Sequence, residues 1–313
     1  MTGTYGWIIV VMLAAGVGVT AQAQTKFRSS VDLVALNVVA TDGQGRLVSG
    51  LTGDDFTVLE DGVPQQISFF AATPMPIDLA ILLDTSASMT EKIATVQAAA
   101  VGFISVIRPG DRVTVVDIKD KVTVIHPLSE NVGDARAAIR STTAKGNTSL
   151  YNGLYMTLKE LMKQRALAGD IRRQAIVVLS DGDDTTSLVS YDDVNELAKR
   201  SGVAIYTITL RSALAHRTFA RQTEVNSAAE FGMKELSMIT GARAFFPMAI
   251  TELAGVYGVI AEELAGQYSL GYSPANPRRE NAFRRIDVRI ARPGIRARTR
   301  TGYLAGEGVL ASH

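Results

Sequence analysis

The chain contains no cysteine. That excludes zinc-thiolate sites, thiol nucleophiles and disulfides together, and leaves stability to a packed core. Histidine is almost as scarce, with three in 313 residues. His126 precedes Pro127 at a strand end, His216 lies in a polar stretch and His313 is the last residue, so all three read as structural or incidental. The charges nearly cancel, at +1, which argues against a nucleic-acid binder as a whole. Also missing are a Gly-x-Ser-x-Gly elbow, a phosphate-cradling Gly-x-x-x-x-Gly-Lys loop and a His-Glu-x-x-His helix, so the common hydrolase and nucleotide signatures are absent.

Apolar runs of near membrane-spanning length are absent after the N-terminus. There the sequence Trp7-Ile8-Ile9-Val10-Val11-Met12-Leu13-Ala14-Ala15-Gly16-Val17-Gly18-Val19 is uncharged and is followed by Ala21-Gln22-Ala23, with small residues where cleavage requires them. As a helix the run spans roughly 20 Å, short of the about 30 Å of hydrocarbon in a bilayer. Residues 1–23 are therefore expected to be a secretory signal peptide cleaved near Ala23, with a single N-terminal anchor as the alternative. Export without cysteine fits a bacterial protein, secreted or periplasmic.

Residues 24–74 carry short strand patterns: Val31 to Ala40, the turn signal Thr41-Asp42-Gly43-Gln44-Gly45, and Phe56-Thr57-Val58-Leu59 running into Glu60-Asp61-Gly62. Past Pro74 and Pro76 the pattern changes. Strands are predicted at Leu79 to Leu83, Arg112 to Ile118, Val122 to Ile125, Ala175 to Leu179 and Val203 to Leu210. Helices are predicted at Lys92 to Ile107, Val132 to Ser141, Leu150 to Arg165, Tyr191 to Ser201 and Ala228 to Thr240. Three of the strand runs are almost wholly apolar, as in parallel strands covered on both faces, and the alternation indicates a doubly wound α/β domain over 75–250. The short link at Lys119-Asp120 predicts one antiparallel edge strand. A helix at 251–266 then leads into a second β segment, 267–305, and a tail, 306–313. Each β segment is about half a sandwich, so the two are expected to pair, with the mostly parallel α/β domain inserted into a small antiparallel β-sandwich. A fragment of residues 24–74 alone should then be unfolded.

Oxygen-bearing side chains cluster at strand ends. Asp84-Thr85-Ser86-Ala87-Ser88 follows the run Ile77 to Leu83, Thr148 lies in Gly146-Asn147-Thr148-Ser149-Leu150, and Asp181 follows Ala175 to Leu179. Carboxylates and hydroxyls with no nitrogen or sulfur suit a hard cation such as Mg²⁺, with Mn²⁺ and Ca²⁺ as alternatives. Taken alone, the first motif has a plainer reading, an Asp or Ser capping a helix near Thr90 or Glu91. Placement shifts the balance. In an open α/β sheet, strand ends on either side of a switch point share one crevice, and two carboxylates buried there call for a positive partner.

With these five residues, Asp84, Ser86, Ser88, Thr148 and Asp181, the stretch from about Pro76 to Phe246 resembles a von Willebrand factor type A domain with a metal-ion-dependent adhesion site (MIDAS). The flanks Asn37-Val38-Val39-Ala40-Thr41-Asp42, Asp55 to Gly62 and Gln267-Tyr268-Ser269-Leu270-Gly271-Tyr272 resemble the secreted bacterial "VWFA-related" group described mainly from Acidobacteria. Asn147 departs from the pattern, standing where many relatives have a second glycine. The resemblance implies that Ser86 and Ser88 bind the ion directly, Thr148 directly or through water, and Asp84 and Asp181 largely through water. An ion so held keeps an open position for an acidic group of a protein partner.

Asp183 and Asp184 could extend the site, though a solvated loop is the plainer reading. The C-terminal β segment is rich in arginine: Arg278, Arg279, Arg284, Arg285, Arg289, Arg292, Arg296, Arg298 and Arg300. Arg296, Arg298 and Arg300 alternate and are expected on one strand face. Together with Arg284 and Arg285 they are read either as a patch for an anionic envelope surface or as a solvated outer face protecting an edge strand. In switched type A domains the last helix moves with the metal loop, so helix 251–266 could couple the site to the sandwich, rigid packing being the simpler account. The expectation is an exported, non-enzymatic, metal-dependent protein-binding module. The alternatives are a metal-assisted hydrolase and a structural envelope protein with a stabilising ion.

Overall fold

The computed structural model describes residues 33–167, 171–181, 184–210, 220–276 and 282–305, all within the unit Asp32–His313. The first strands are β1 (Val34–Thr41), β2 (Phe56–Glu60), β3 (Val63–Gln65) and β4 (Ile67–Ala71). Asp61 and Gly62, at φ 50° and 83°, make the two-residue turn between β2 and β3. Positive φ at both positions matches the right-handed twist of a tight hairpin, which explains the Asp-Gly pair.

The α/β body follows: β5 (Ile77–Asp84), α1 (Ile93–Phe103), β6 (Arg112–Ile118), β7 (Thr123–Ser129), α2 (Val132–Ser141), α3 (Leu150–Leu167), β8 (Arg173–Ser180), α4 (Tyr191–Ser201), β9 (Ala204–Thr209), α5 (Ala220–Ile239), β10 (Ala244–Phe245) and α6 (Leu253–Ala265). Its sheet has the order β10-β9-β8-β5-β6-β7, with β7 antiparallel to β6 and the other pairings parallel. All residues of β5 and β8 are buried because helices cover both faces. Along β5 the alternate residues Leu79, Ile81 and Leu83 pack with Phe103, Tyr257 and Ile260, while Ala80 and Leu82 pack with Leu154, Leu158, Val194 and Leu236. From β5 the chain first builds β6 and β7 on one side and then returns to build β8, β9 and β10 on the other. The switch point is thus between β5 and β8, and Asp84 and Ser180 end those two strands.

The last strands are β11 (Tyr268–Tyr272), β12 (Ala282–Ile290), β13 (Arg296–Arg298) and β14 (Gly302–Ala305). They complete two four-stranded sheets, β13-β1-β11-β4 and β14-β12-β2-β3. β1 pairs antiparallel with β11, Leu36 opposite Leu270, and β2 with β12, Val58 opposite Val288. Val34, Leu36, Val38, Phe56, Val58, Tyr268, Leu270, Tyr272, Ile286 and Val288 form one core between the sheets. The α/β domain is therefore inserted into an antiparallel β-sandwich. No helix among the described residues is long and apolar enough to cross a membrane; the apolar run 7–19 and its cleavage signal lie outside the described residues.

The arginine-rich segment differs from expectation. Of the three residues expected on one strand face, Arg296 and Arg298 lie two apart in β13, while Arg300 falls beyond that strand and before β14, which belongs to the other sheet. Arg298 donates to Glu263 and to the Gly241 carbonyl, and Arg300 donates to the Ala35 carbonyl at 3.0 Å. Arg284 is 6 % exposed and pairs with the buried Glu60 at 2.8 Å. Neither an anionic-surface patch nor a solvated face describes these three, whose guanidinium groups are drawn inward to carboxylates and carbonyls. Arg285 and Arg296 are exposed; Arg278 and Arg279 lie outside the described residues.

Candidate metal site

The end of β5 delivers Asp84 into the switch-point crevice with no exposed surface. Its carboxylate oxygens are held separately: Oδ1 accepts from the Ser86 N–H at 2.9 Å, and Oδ2 from Ser180 Oγ at 2.6 Å. The first of these bonds turns the chain so that Ser86 and Ser88 follow on one side, their Oγ atoms 2.9 Å apart. Ser86 is 3 % exposed, and Ser88 lies open at the rim. Neither serine caps a helix. Ser86 precedes a single 3₁₀ turn, Ala87–Met89, without a side-chain cap bond, and α1 begins later, behind Lys92, which makes none either. The Ser86 and Ser88 hydroxyls thus face each other and cap no helix.

Thr148, 4 % exposed, lies on its own loop, which is laced to the first by two backbone bonds: Lys145 N–H to Thr85 O at 2.8 Å and Ala87 N–H to Gly146 O at 2.9 Å. Its backbone is fixed from the other side. The Thr148 carbonyl accepts from the N–H groups of Thr185 and Thr186 at 3.0 and 3.1 Å, and the Thr148 N–H donates to Thr185 Oγ1 at 3.0 Å. Asp181, the residue after β8, is half-buried.

The electrostatics of the crevice are dominated by the burial of Asp84. Burial raises the Asp84 pKa above its ordinary value; the bonds from Ser180 and Ser86 oppose this, and the charge of Asp181 adds to it. No basic side chain pairs with Asp84 among the described residues. A carboxylate without exposure, held by two hydrogen bonds and repelled by a second carboxylate, is relieved by a cation beside it. Among the described residues no three of His, Cys, Asp and Glu converge on a metal position. A cation here would depend on hydroxyl oxygens, and two carboxylates with three hydroxyls fit a hard ion that keeps part of its water.

Several residues that shape this crevice carry no motif of their own. Ser180 orients Asp84, and Thr185 and Thr186 seat Thr148. Asp184 is not a solvated loop residue: it is part-buried, and its Oδ1 accepts from the Leu150 N–H at 2.8 Å, at the start of α3, and from Ser187 Oγ at 2.7 Å. A helix N-terminus offers unsatisfied N–H groups, and Asp184 supplies the acceptor from a distant loop. Of these residues the sequence singles out Asp184 alone. Asp183 lies outside the described residues.

Residues 79–183 match the family model described as the von Willebrand factor type A domain. No curated protein matches the sequence. Among solved structures the fold is similar to a von Willebrand factor type A protein from Catenulispora acidiphila, with TM-score 0.50 and 10 % identity over 90 % of this chain and 76 % of that one. It is also similar to proximal thread matrix protein 1 from the mussel byssus with a zinc-occupied MIDAS motif, with TM-score 0.49 and 16 % identity over 66 % of this chain. That alignment spans about half, 49 %, of the byssal protein. A third similar structure is the vWF domain of the type V pili tip protein Mfa5 from Porphyromonas gingivalis, with TM-score 0.48 and 13 % identity over 61 % of this chain and 95 % of that one. At these identities the likeness is one of fold.

Proposed function

From the premise that the α/β body of this chain is a von Willebrand factor type A domain, we propose that the protein is a non-enzymatic binding module that docks a partner's carboxylate through a divalent cation. The observation that carries this reading is Asp84: a carboxylate without exposure at the switch point, with serine hydroxyls beside it that cap no helix. Ser86, Ser88 and Thr148 would hold the ion through their hydroxyls, and Asp84 and Asp181 would balance its charge, largely through water. The bound ion supplies an electrophilic position open to an acidic side chain of a protein ligand. Oxygen donors favour Mg²⁺, with Mn²⁺ and Ca²⁺ as the other candidates.

A hydrolase using the same ion needs a general base beside it. Of the acidic pair Asp183 and Asp184 that the sequence offered for that role, Asp184 is bonded through Oδ1 to the start of α3, and Asp183 lies outside the described residues. The bond made by Asp184 supports binding over catalysis. Export, to the periplasm or beyond, belongs to the same proposal and rests on the apolar run 7–19 and the Ala21-Gln22-Ala23 signal. An N-terminus near Gln24 on the exported protein is the expected result, and an intact Met1 would refute cleavage.

Titration of the full chain with Mn²⁺, followed by calorimetry and by water proton relaxation, tests the site. Wild type should take up one ion and Asp84→Ala none, with the variant still folded by circular dichroism. Addition of an acidic peptide should then lower the relaxation enhancement by displacing metal-bound water. A wild-type protein that takes up no ion defeats the proposal. Collapse of the Asp84→Ala fold would instead favour an ion that only stabilises the structure.

A further inference from the structure

The end of β6 and the turn that follows it, residues 117–122, sit beside both donor loops, with Asp117 at the end of the strand holding one and Asp120 in the turn holding the other. On the first loop Thr85, between Asp84 and Ser86, donates its hydroxyl to Asp117 Oδ1 and its N–H to the Ile118 carbonyl at 3.0 Å. Asp117 is 3 % exposed, and its other oxygen pairs with Lys119 Nζ at 2.6 Å. On the second loop Asp120 Oδ1 accepts from both the backbone N–H and the side-chain Nδ2 of Asn147, each at 2.9 Å. The Asp120 carbonyl also accepts from Ser149 Oγ at 3.4 Å. Asn147 and Ser149 flank Thr148, so these bonds bracket the hydroxyl that the second loop contributes. Gly146 is what allows the approach: its φ is 77°, and a Cβ there would collide with the Asp120 carboxylate.

We propose that this turn is a brace that sets the separation of the Asp84 loop and the Thr148 loop before an ion arrives, with Asp120 acting through Asn147 and Asp117 acting through Thr85. The proposal rests on the metal-site reading and adds two positioning residues to it. Neutral hydroxyls are modest ligands individually, and they capture an ion only where they already stand at the right spacing, since ordering two loops on binding would consume the gain. The two loops come from sequence positions more than fifty residues apart and are joined directly by the backbone bonds Lys145 N–H to Thr85 O and Ala87 N–H to Gly146 O. The turn, anchored in the central sheet, adds side-chain bonds to each loop and ties both to the same support. The brace also accounts for Asn147. A glycine at that position would lack the Nδ2 donor that meets Asp120.

Mn²⁺ binding to the full chain, by calorimetry and electron paramagnetic resonance, together with melting of the metal-free protein in chelator, tests this. Asp120→Ala should weaken Mn²⁺ binding by about 10- to 100-fold while leaving the metal-free melt near that of wild type, because Asp120 is exposed. Asp120→Asn keeps an oxygen acceptor for Asn147 while dropping the charge, and should bind close to wild type. Adding Asn147→Gly to Asp120→Ala should cost little more, since the same bond is already lost. Thr85→Val should weaken binding through the other end of the turn. The brace is refuted if Asp120→Ala binds like wild type, or if Asp120→Asn falls as far as Asp120→Ala, which would make Asp120 a distant charge and not a support. Should Asp120→Ala fail to fold, Asn147→Ala removes only the side-chain half of the clamp at an exposed residue and carries the same comparison. A wild-type chain that binds no Mn²⁺ marks failure of the metal-site reading itself, and the brace falls with it.

Discussion

Ser180 Oγ donates to Asp84 Oδ2 at 2.6 Å, tying the last residues of two neighbouring parallel strands together at the switch point. This bond acts on the ionised form of Asp84 and offsets part of the burial that raises its pKa. Both strands reach the crevice at the same level because β5 and β8 run in continuous parallel register from Ile77 opposite Arg173 to Leu83 opposite Leu179.

Ser180→Ala should therefore weaken cation binding by about tenfold and destabilise the metal-free protein by about 1.5–3 kcal/mol, the range for a lost hydrogen bond to a charged group. Urea unfolding in chelator and Mn²⁺ titration measure the two effects. Unchanged ion affinity would mean that the hydroxyl only fills space.

Gly146→Ala should be poorly tolerated. The left-handed backbone and the adjacent Asp120 carboxylate both oppose a methyl group there. The expected cost is above about 1 kcal/mol, accompanied by loss of ion affinity. A melt and an ion titration like those of wild type would show that the loop can retreat from Asp120.

Glu60 is 3 % exposed and accepts from Arg284 Nη1, Tyr272 Oη and Tyr303 Oη at 2.8, 2.8 and 2.9 Å, a polar knot near the edge of the sandwich core. Arg284→Met leaves that carboxylate buried without its cation and should destabilise the protein by about 3–5 kcal/mol. Adding Glu60→Gln should recover part of the loss, because the two changes meet in one network. Denaturant unfolding of the single and double variants measures the coupling, and strict additivity would argue that the pair is not a unit.

His126 tests the pH dependence of the edge strand. Burial lowers its pKa below 6.5, and the Asp134 carboxylate opposes that only in part. The folded protein thus binds this proton more weakly than the unfolded chain does. The contribution is fully present above about pH 6.5 and is lost as pH falls through the lowered folded value. The stability advantage of wild type over His126→Gln should shrink between pH 7.5 and pH 5. A constant difference in denaturation midpoint across that range would contradict the shift.

Much of the fold was legible because the signals are local. Arg112 to Ile118, Val132 to Ser141 and Tyr191 to Ser201 form the elements expected of them, since apolar periodicity and caps act within a few residues. The edge strand was expected at Val122 to Ile125 and runs from Thr123 to Ser129, passing through Pro127, which an edge tolerates. Arg284, Arg298 and Arg300 depart from expectation for the opposite reason. Arg284 and Arg285 are alike as letters, and only the register of β12 against β2 turns the first toward Glu60, 224 residues away in sequence.

By itself the sequence determined the alternation of buried strands and helices, and the placement of Asp84, Asp181 and neighbouring hydroxyls at strand ends. These follow from hydrophobic period and from side-chain chemistry, which the chain carries wherever it folds. Tertiary structure decided which groups face one another. It brought Ser180 to Asp84, Thr185 and Thr186 to Thr148, Asp120 to Asn147 and Arg284 to Glu60. Each of these contacts is short in space and long in sequence. Their existence depends on strand order and register, which are set by packing the whole core and not by any one segment.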